Sequence, residues 1–308
     1  VIKEDKKTNF VIHSQVKIYQ NQLLSNYTYT LTGGNAEFLS IPKNSSELVY
    51  LIQRSIAYNI SYTLLGNASN VIVSDYGLKG LVIITTHFSQ IKVMGHDLIA
   101  DAGASLKDIA HAAAQASLTG FEFACGIPGT LGGAIFMNAG AYDGEIGNII
   151  SEVTVIDEKG KIKTFSHEEF KFSYRHSLAQ DLHLVILQAK VTLKLGNHKK
   201  IVNLMHDLNT RRAAKQPLDL PSCGSVFRRP PGYFVGPMIQ KCGLQGKIVG
   251  GAQVSLKHAG FIVNINHASA NDYITLIKLI QESVFKKFGV HLQTEVRFIG
   301  FNDKLSLK

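Results

Sequence analysis

Cysteine is scarce: Cys125, Cys223 and Cys242 are the three in 308 residues. An odd number at wide spacing argues against a disulfide framework and fits a reducing compartment. Neither a C-x-x-C pair nor an H-E-x-x-H occurs, so no metal site is expected. Long apolar runs are missing too. Val1 to Phe10 is polar and charged, without a signal-peptide core, and no uncharged stretch approaches membrane-spanning length. These absences predict a soluble, cytoplasmic protein with no membrane insertion.

A third absence concerns nucleotides. Glycine lets backbone amides approach a pyrophosphate closely, and 27 glycines are present. Yet no Gly-x-Gly triplet and no Gly-Lys-Ser/Thr occurs, which argues against a Rossmann dehydrogenase and a P-loop enzyme. Acidic residues are also few, 23 against 32 basic ones, for a net charge of +9. That excess fits general solubility or a cleft tuned to phosphates and carboxylates. A non-catalytic polyanion-binding protein is the reading from another class, but no aromatic-basic motif supports a nucleic-acid partner. With 45% hydrophobic and 18% charged positions, the chain is too apolar for disorder and long enough for several packed units.

What is present reads as strands mixed with helices, an α+β order. Residues up to about 30 form a polar lead-in arm. Ser45-Ser46-Glu47 supplies an N-cap ahead of Leu48, Leu51, Ile52 and Ile56 at helical spacing. Strands are expected at Ile60 to Leu65, Leu81 to Thr85 and Leu98 to Ala102. Ser105 and Asp108 open a helix whose Ile109, Ala113 and Leu118 face inward and which Gly120 ends. Glu158-Lys159-Gly160 joins a hairpin, and Leu182 to Leu195 is a long strand. The main boundary is placed at the Gly196 to Lys200 shift. Beyond it lie a strand at Gly260 to Ile265 and a helix carrying Ile274, Ile277, Ile280, Val284 and Phe288, stopped by Gly289.

Two glycine segments carry chemistry. Gly66-Asn67-Ala68-Ser69-Asn70 follows a strand; an ordinary turn is its plain reading. The second runs Gly126-Ile127-Pro128-Gly129-Thr130-Leu131-Gly132-Gly133-Ala134 and on through Asn138-Ala139-Gly140-Ala141. So many small residues point to backbone lying against a flat or charged ligand. This second string resembles the central flavin-binding signature of the UDP-N-acetylenolpyruvoylglucosamine reductase (MurB) family. Gly66 to Asn70 resembles that family's pyrophosphate loop, with Ala68 in place of a glycine; alanine fits there if its φ stays negative. Phe172 to Ser177, Ser222 to Phe227, Gly250 to Ser255, Lys257 to Asn264 and Thr294 to Gly300 match further family motifs in order. The resemblance covers roughly Leu31 to Gly300.

The resemblance implies an FAD-binding fold of the vanillyl-alcohol-oxidase type. It implies two flavin-binding subdomains over 31–196, divided near 90, and a C-terminal α+β substrate domain over 197–308. The compact stretch between Arg175 and Ser225 is similar to the family's shorter form, which lacks a substrate-covering tyrosine loop. Implied ligands are non-covalent FAD, NADPH and a UDP-sugar enolpyruvyl ether, with no obligate protein partner. The implied cofactor contacts are Gly66, Asn67, Ala68, Ser69, Asn70, Ile127, Pro128, Gly129, Thr130, Gly132, Gly133, Ala134, Asn138, Gly140 and Ala141. The implied activity is reduction of UDP-N-acetylglucosamine enolpyruvate to UDP-N-acetylmuramate. A sugar or alcohol oxidase on the same fold is the rival.

Each implied catalytic residue has a plainer reading beside it. Ser225 is a buried or turn serine by default; the resemblance makes it the proton donor to a carbanion alpha to a carboxylate. Arg175 is a solvent-facing arginine after a strand, or the fork that grips that carboxylate. Glu295 is a solvated strand position, or sits at the substrate carboxylate, either protonated or orienting Arg175 or a water. Arg228, Arg229 and Lys215 form a solvated basic face, or screen a diphosphate. Tyr142, His111 and His258 are read as structural.

Overall fold

The computed structural model describes residues 6–301. The chain forms two compact units, each made of discontinuous pieces. The first comprises residues up to Gln20, Phe38–Asn67 and Gly80–Arg212. The second comprises Asn21–Glu37, Ala68–Lys79 and the chain from Ala213 onward. These packing units are a different partition from the arm, FAD-binding and substrate domains expected from sequence, which are divisions by function.

A five-stranded antiparallel sheet dominates the first unit, ordered Ile162–Ser166, Ile150–Ile156, Val185–Thr192, Asp97–Asp101, Ile91–Met94. Its hairpin turns at Gly160, whose φ of +76° glycine adopts without strain. The expected strand at Leu182 starts later, at Val185, because a short helix covers Leu178–Asp181. The helix at Ser45–Tyr58 forms as expected, but Asn44 rather than a serine caps it, accepting from the Glu47 N–H. Ser105 caps Leu106–Gln115 as expected. That helix stops short of Leu118, which is buried instead on a two-residue strand paired with Leu195. Ser117, at φ +55°, makes the break before Gly120 is reached. Phe10, expected in a polar arm, is fully buried against Phe38 and Tyr58.

In the second unit, a four-stranded antiparallel sheet runs Ser222–Ser225, Phe261–Asn264, Ala252–Val254, Ile248–Val249. The helix Ala270–Phe288 buries Tyr273, Ile274, Ile277, Ile280 and Val284 in the same core. Ser269 and Asp272 close a capping box at its start, and Gly289 ends it in the left-handed region. Asp75 accepts from the N–H groups of Ala270 and Asn271, a favourable place for a carboxylate. Beside this sheet, Val71–Val73 pairs in parallel with Arg297–Ile299. No helix among the described residues is long and apolar enough to cross a membrane.

Candidate active site

The first unit holds Gly66, Asn67, the whole 126–141 segment and Arg175. Most glycines here are required by protein packing. A Cβ on Gly66 would stand 2.2 Å from Thr130 Oγ1, and one on Gly132 would stand 2.9 Å from Ala102 Cβ. At Gly126 it would meet Asn209 Oδ1 at 2.6 Å and Arg212 Nε at 2.9 Å, both on the helix His198–Lys215. Gly133 differs, with nothing nearer than Thr130 Oγ1 at 3.6 Å. Thr130 caps the short helix Leu131–Phe136, and Asn67 Nδ2 donates to the Pro128 carbonyl at 2.9 Å. The two glycine segments are therefore tied together at Gly66–Thr130 and Asn67–Pro128.

Asn138 was expected at the cofactor, but its side chain is committed to the protein. It is 2% exposed, donates to Glu145 and to the Ser173 carbonyl, and accepts from the Gly147 N–H. Its backbone N–H donates to the Ile135 carbonyl, so the carbonyl oxygen, shared with Arg175, is the group left to meet a ligand. Through Ser173, Asn138 also braces the tight turn that carries Arg175. Ser173 and His176 exchange both backbone hydrogen bonds across Tyr174-Arg175, and Arg175 has φ +56°. Turns of that kind favour glycine at this position, so holding an arginine there costs conformational energy. Its guanidinium lies against the Asn138 and Gly140 carbonyls at 3.4 and 3.3 Å and over the Tyr174 ring. Arg175 is half-buried. Gln180, which the sequence did not mark, fixes the turn by donating to the Arg175 and Phe136 carbonyls.

Two further groups lie under this segment. Arg212 is buried below Gly126, and desolvation depresses its guanidinium pKa. Tyr142 donates to the Leu208 carbonyl, the structural role expected of it. Cys125 is buried too, and desolvation raises its thiol pKa. A thiol held protonated is a poor nucleophile for a covalent flavin bond.

The second unit holds Ala68, Ser69, Asn70, Lys215, Ser225, Arg228, Arg229 and Glu295. Ala68 has φ +46°, against the expectation of a negative angle. Alanine occupies the left-handed region that the family's glycine adopts freely. Among the described residues, the N–H groups of Ala68 and Ser69 donate to no protein acceptor. Such a pair of unspent donors is what the anionic bridge of a nucleotide cofactor requires. The residues present fit FAD.

Ser225 is exposed, not buried, at the end of the strand Ser222–Ser225 opposite Phe261. Gly224 precedes it at φ +74°, and among the described residues the Ser225 hydroxyl finds no hydrogen-bond partner. Immediately beyond, Val226 to Arg228 run along residues 293–296. The Glu295 N–H donates to the Val226 carbonyl at 2.8 Å, and the Arg228 N–H to the Gln293 carbonyl at 2.9 Å. Ser225 and Glu295 thus share one edge. Asn70 joins it by donating from Nδ2 to the Glu295 carbonyl. Leu292 and Val296 face the core, leaving Gln293, Glu295 and Arg297 on the outer side.

Arg229 is engaged locally. Its Nε donates to the Tyr233 carbonyl and its guanidinium lies 3.9 Å from the Phe234 ring centroid. Lys215 is exposed at the last position of its helix. His258 Nδ1 accepts from the Gly260 N–H, and burial depresses its pKa.

Comparison with known proteins agrees with this architecture. Residues 36–166 match an FAD binding domain, and 216–299 match the UDP-N-acetylenolpyruvoylglucosamine reductase C-terminal domain. The UDP-N-acetylenolpyruvoylglucosamine reductase of Lactiplantibacillus plantarum is 52% identical over 92% of this chain and 94% of its own length. That of Enterococcus faecalis is 50% identical over 93% and 96%. The crystal structure of the Thermus caldophilus UDP-N-acetylenolpyruvylglucosamine reductase superimposes with a TM-score of 0.79 at 31% identity, covering 92% of this chain and 99% of that one. The α+β flavin-binding fold expected from the sequence is therefore the fold of the chain. On this evidence the chain belongs to the UDP-N-acetylenolpyruvoylglucosamine reductase family.

Proposed function

We propose that this chain is an FAD-dependent oxidoreductase reducing UDP-N-acetylglucosamine enolpyruvate to UDP-N-acetylmuramate with NADPH, in cytoplasmic peptidoglycan precursor synthesis. The observation that carries the reading is the edge where the unspent Ser225 hydroxyl adjoins Val226, whose carbonyl accepts from the Glu295 N–H. An oxidase on the same fold needs no such acid. Bound FAD supplies hydride transfer, from NADPH to the vinyl carbon farther from the substrate carboxylate.

The chain's own residues then handle charge and protons. Ser225 delivers its hydroxyl proton to the carbon next to the carboxylate. A serine is a weak acid, so this step relies on a strongly basic carbon and on nearby positive charge. Arg175 is assigned to that carboxylate, with Glu295 at the same end of the substrate. The remaining cofactor contacts proposed are Gly66 to Asn70, Ile127 to Thr130, Gly132 to Ala134, Asn138 through its backbone, Gly140 and Ala141. Arg228, Arg229 and Lys215 are assigned to substrate phosphates. The same reading divides the labour between an FAD-binding region over 31–196 and a substrate region over 197–308, with no obligate protein partner.

The burial of Cys125, whose thiol donates to the Met205 carbonyl, supports non-covalent flavin. The purified protein should be yellow, and mild denaturation should release all of its FAD. A colourless protein that FAD cannot reconstitute sinks the reading.

A further inference from the structure

Beyond Ser225 the chain makes a loop with two fixed feet and an exposed tip. It leaves the sheet at Val226, whose N–H donates to the Gly260 carbonyl at 3.0 Å, and Phe227 then bridges to Thr294. It returns at Gly236, where a Cβ would stand 3.9 Å from the Gly260 nitrogen. Gly260 precedes Phe261, the strand partner of Ser225, so both feet stand at the Ser225 end of the sheet. Between them, the Tyr233 N–H donates to the Pro230 carbonyl across Pro231 and Gly232, and Gly232 has φ +76°. Proline followed by a glycine at positive φ suits a type II turn, and it stiffens the tip.

This stiff tip displays aromatic rings and a guanidinium. Phe234 is 61% exposed, and Tyr233 is exposed beside it. Arg229 lies over Phe234, and its Nε donates to the Tyr233 carbonyl. Among the described residues its Nη groups have no acceptor. One residue earlier, Arg228 Nε is buried without a partner. A phenyl ring left in water forgoes the burial that would stabilise the fold. Here it is backed on one side by a cation with donors to spare. Such a pair fits a ligand that is flat at one end and anionic at the other. Stacking accepts any π face, and a guanidinium fork takes phosphate oxygens. A nucleoside diphosphate has both parts.

We propose that Phe234, backed by Arg229 and the Pro230–Tyr233 turn, stacks on the uracil base of the UDP-sugar substrate. The proposal rests on the function proposed above. The loop stands at the Ser225 end of the sheet, where that reading places this substrate, and its arginines supply the charge that a diphosphate needs. Base and phosphate are then gripped by one rigid unit, because the ring that stacks also holds the guanidinium.

The test uses Phe234→Ala and Phe234→Tyr in the FAD-loaded full chain. UDP is titrated by calorimetry, and inorganic pyrophosphate is titrated as its competitor. Losing one base–aromatic stack should weaken UDP by about 10-fold in Phe234→Ala. Phe234→Tyr keeps a ring and should stay within about 2-fold of the wild type. Pyrophosphate has no base, so its affinity should be the same in the wild type and in Phe234→Ala.

Equal weakening of UDP and pyrophosphate would make Phe234 only a prop for Arg229 and overturns the proposal. Unchanged UDP affinity overturns it too. So does a shift in the NADPH concentration that half-saturates flavin reduction while UDP is unaffected, since adenine would then occupy the ring. A lower melting temperature would reduce the number of binding sites but not the ratio of the two affinities, so the comparison survives it. If the wild type itself binds no UDP, the substrate reading falls first. Normal wild-type binding with an unaffected variant removes Phe234 alone.

Discussion

In the 126–141 segment, polar side chains are spent on the protein: Thr130 on its helix cap, Asn138 on Glu145, Ser173 and Gly147. At Ser225 and Arg228 they are held in reserve. Among the described residues, the Ser225 hydroxyl has no partner and Arg228 Nε is buried without one. Tyr273 adds a second buried, unpartnered polar atom to the same unit. Satisfied networks hold a backbone in one shape, whereas unsatisfied donors raise the free energy of the empty protein until a ligand completes them. The first region is built as a mould and the second as a set of reactive handles.

If that contrast is right, removing a handle should impair chemistry and removing a piece of the mould should impair stability. The largest effect is expected at Ser225→Ala. Reoxidation of reduced flavin by the enolpyruvyl substrate should slow by roughly two to four decades, the range of a positioned general acid. Flavin reduction by NADPH, which needs no such acid, should keep its rate in anaerobic stopped-flow traces. Equal slowing of both halves would return Ser225 to a packing role.

Asn138→Ala sharpens the other side. It strips three hydrogen bonds from a buried site and leaves the Gly147 N–H and Ser173 carbonyl unmatched, so unfolding should cost about 2–4 kcal/mol less. Chemical denaturation with FAD absorbance as a second probe measures this. An unchanged midpoint would mean that the network is not holding the segment. Arg175→Lys falls between the two classes, a handle mounted on the mould. Turnover should drop about 10- to 100-fold as the bidentate geometry is lost, with little change in melting temperature. Near-normal turnover would make Arg175 a surface charge.

The smallest effect has the opposite sign. Ala68 sits at φ +46°, where a Cβ costs about 1–2 kcal/mol and glycine's greater unfolded-state freedom returns about half of that. Ala68→Gly should therefore stabilise the protein slightly and leave FAD affinity intact. A loss of affinity would show that the methyl group itself packs against the cofactor.

How much of this was legible in the sequence follows the same division. Periodicity and capping residues gave the helices at Ser45, Leu106 and Ala270 and the hairpin at Gly160, because these depend on neighbours in the chain. The details that failed were set by longer-range contacts. Leu118 left its helix to pair with Leu195, and Phe10 was drawn into a core that local polarity concealed. In the glycine loops, motif spacing located the backbone but not the reason for each glycine. Gly66 and Gly132 answer to Thr130 and Ala102, contacts with no sequence signature. Arg297 lay inside a motif read mainly for Glu295. Its nearness to Arg228 required the strand register.

The account's central claim is that one protein-bound flavin takes electrons from NADPH and gives them to an enolpyruvyl sugar nucleotide. The direct measurement is anaerobic absorbance of the flavin in the purified protein, first with NADPH and then with UDP-N-acetylglucosamine enolpyruvate. Bleaching by NADPH, followed by rapid recovery of the oxidised spectrum on adding substrate and formation of UDP-N-acetylmuramate, is the predicted result. Flavin that bleaches but recovers only when oxygen is admitted would contradict it.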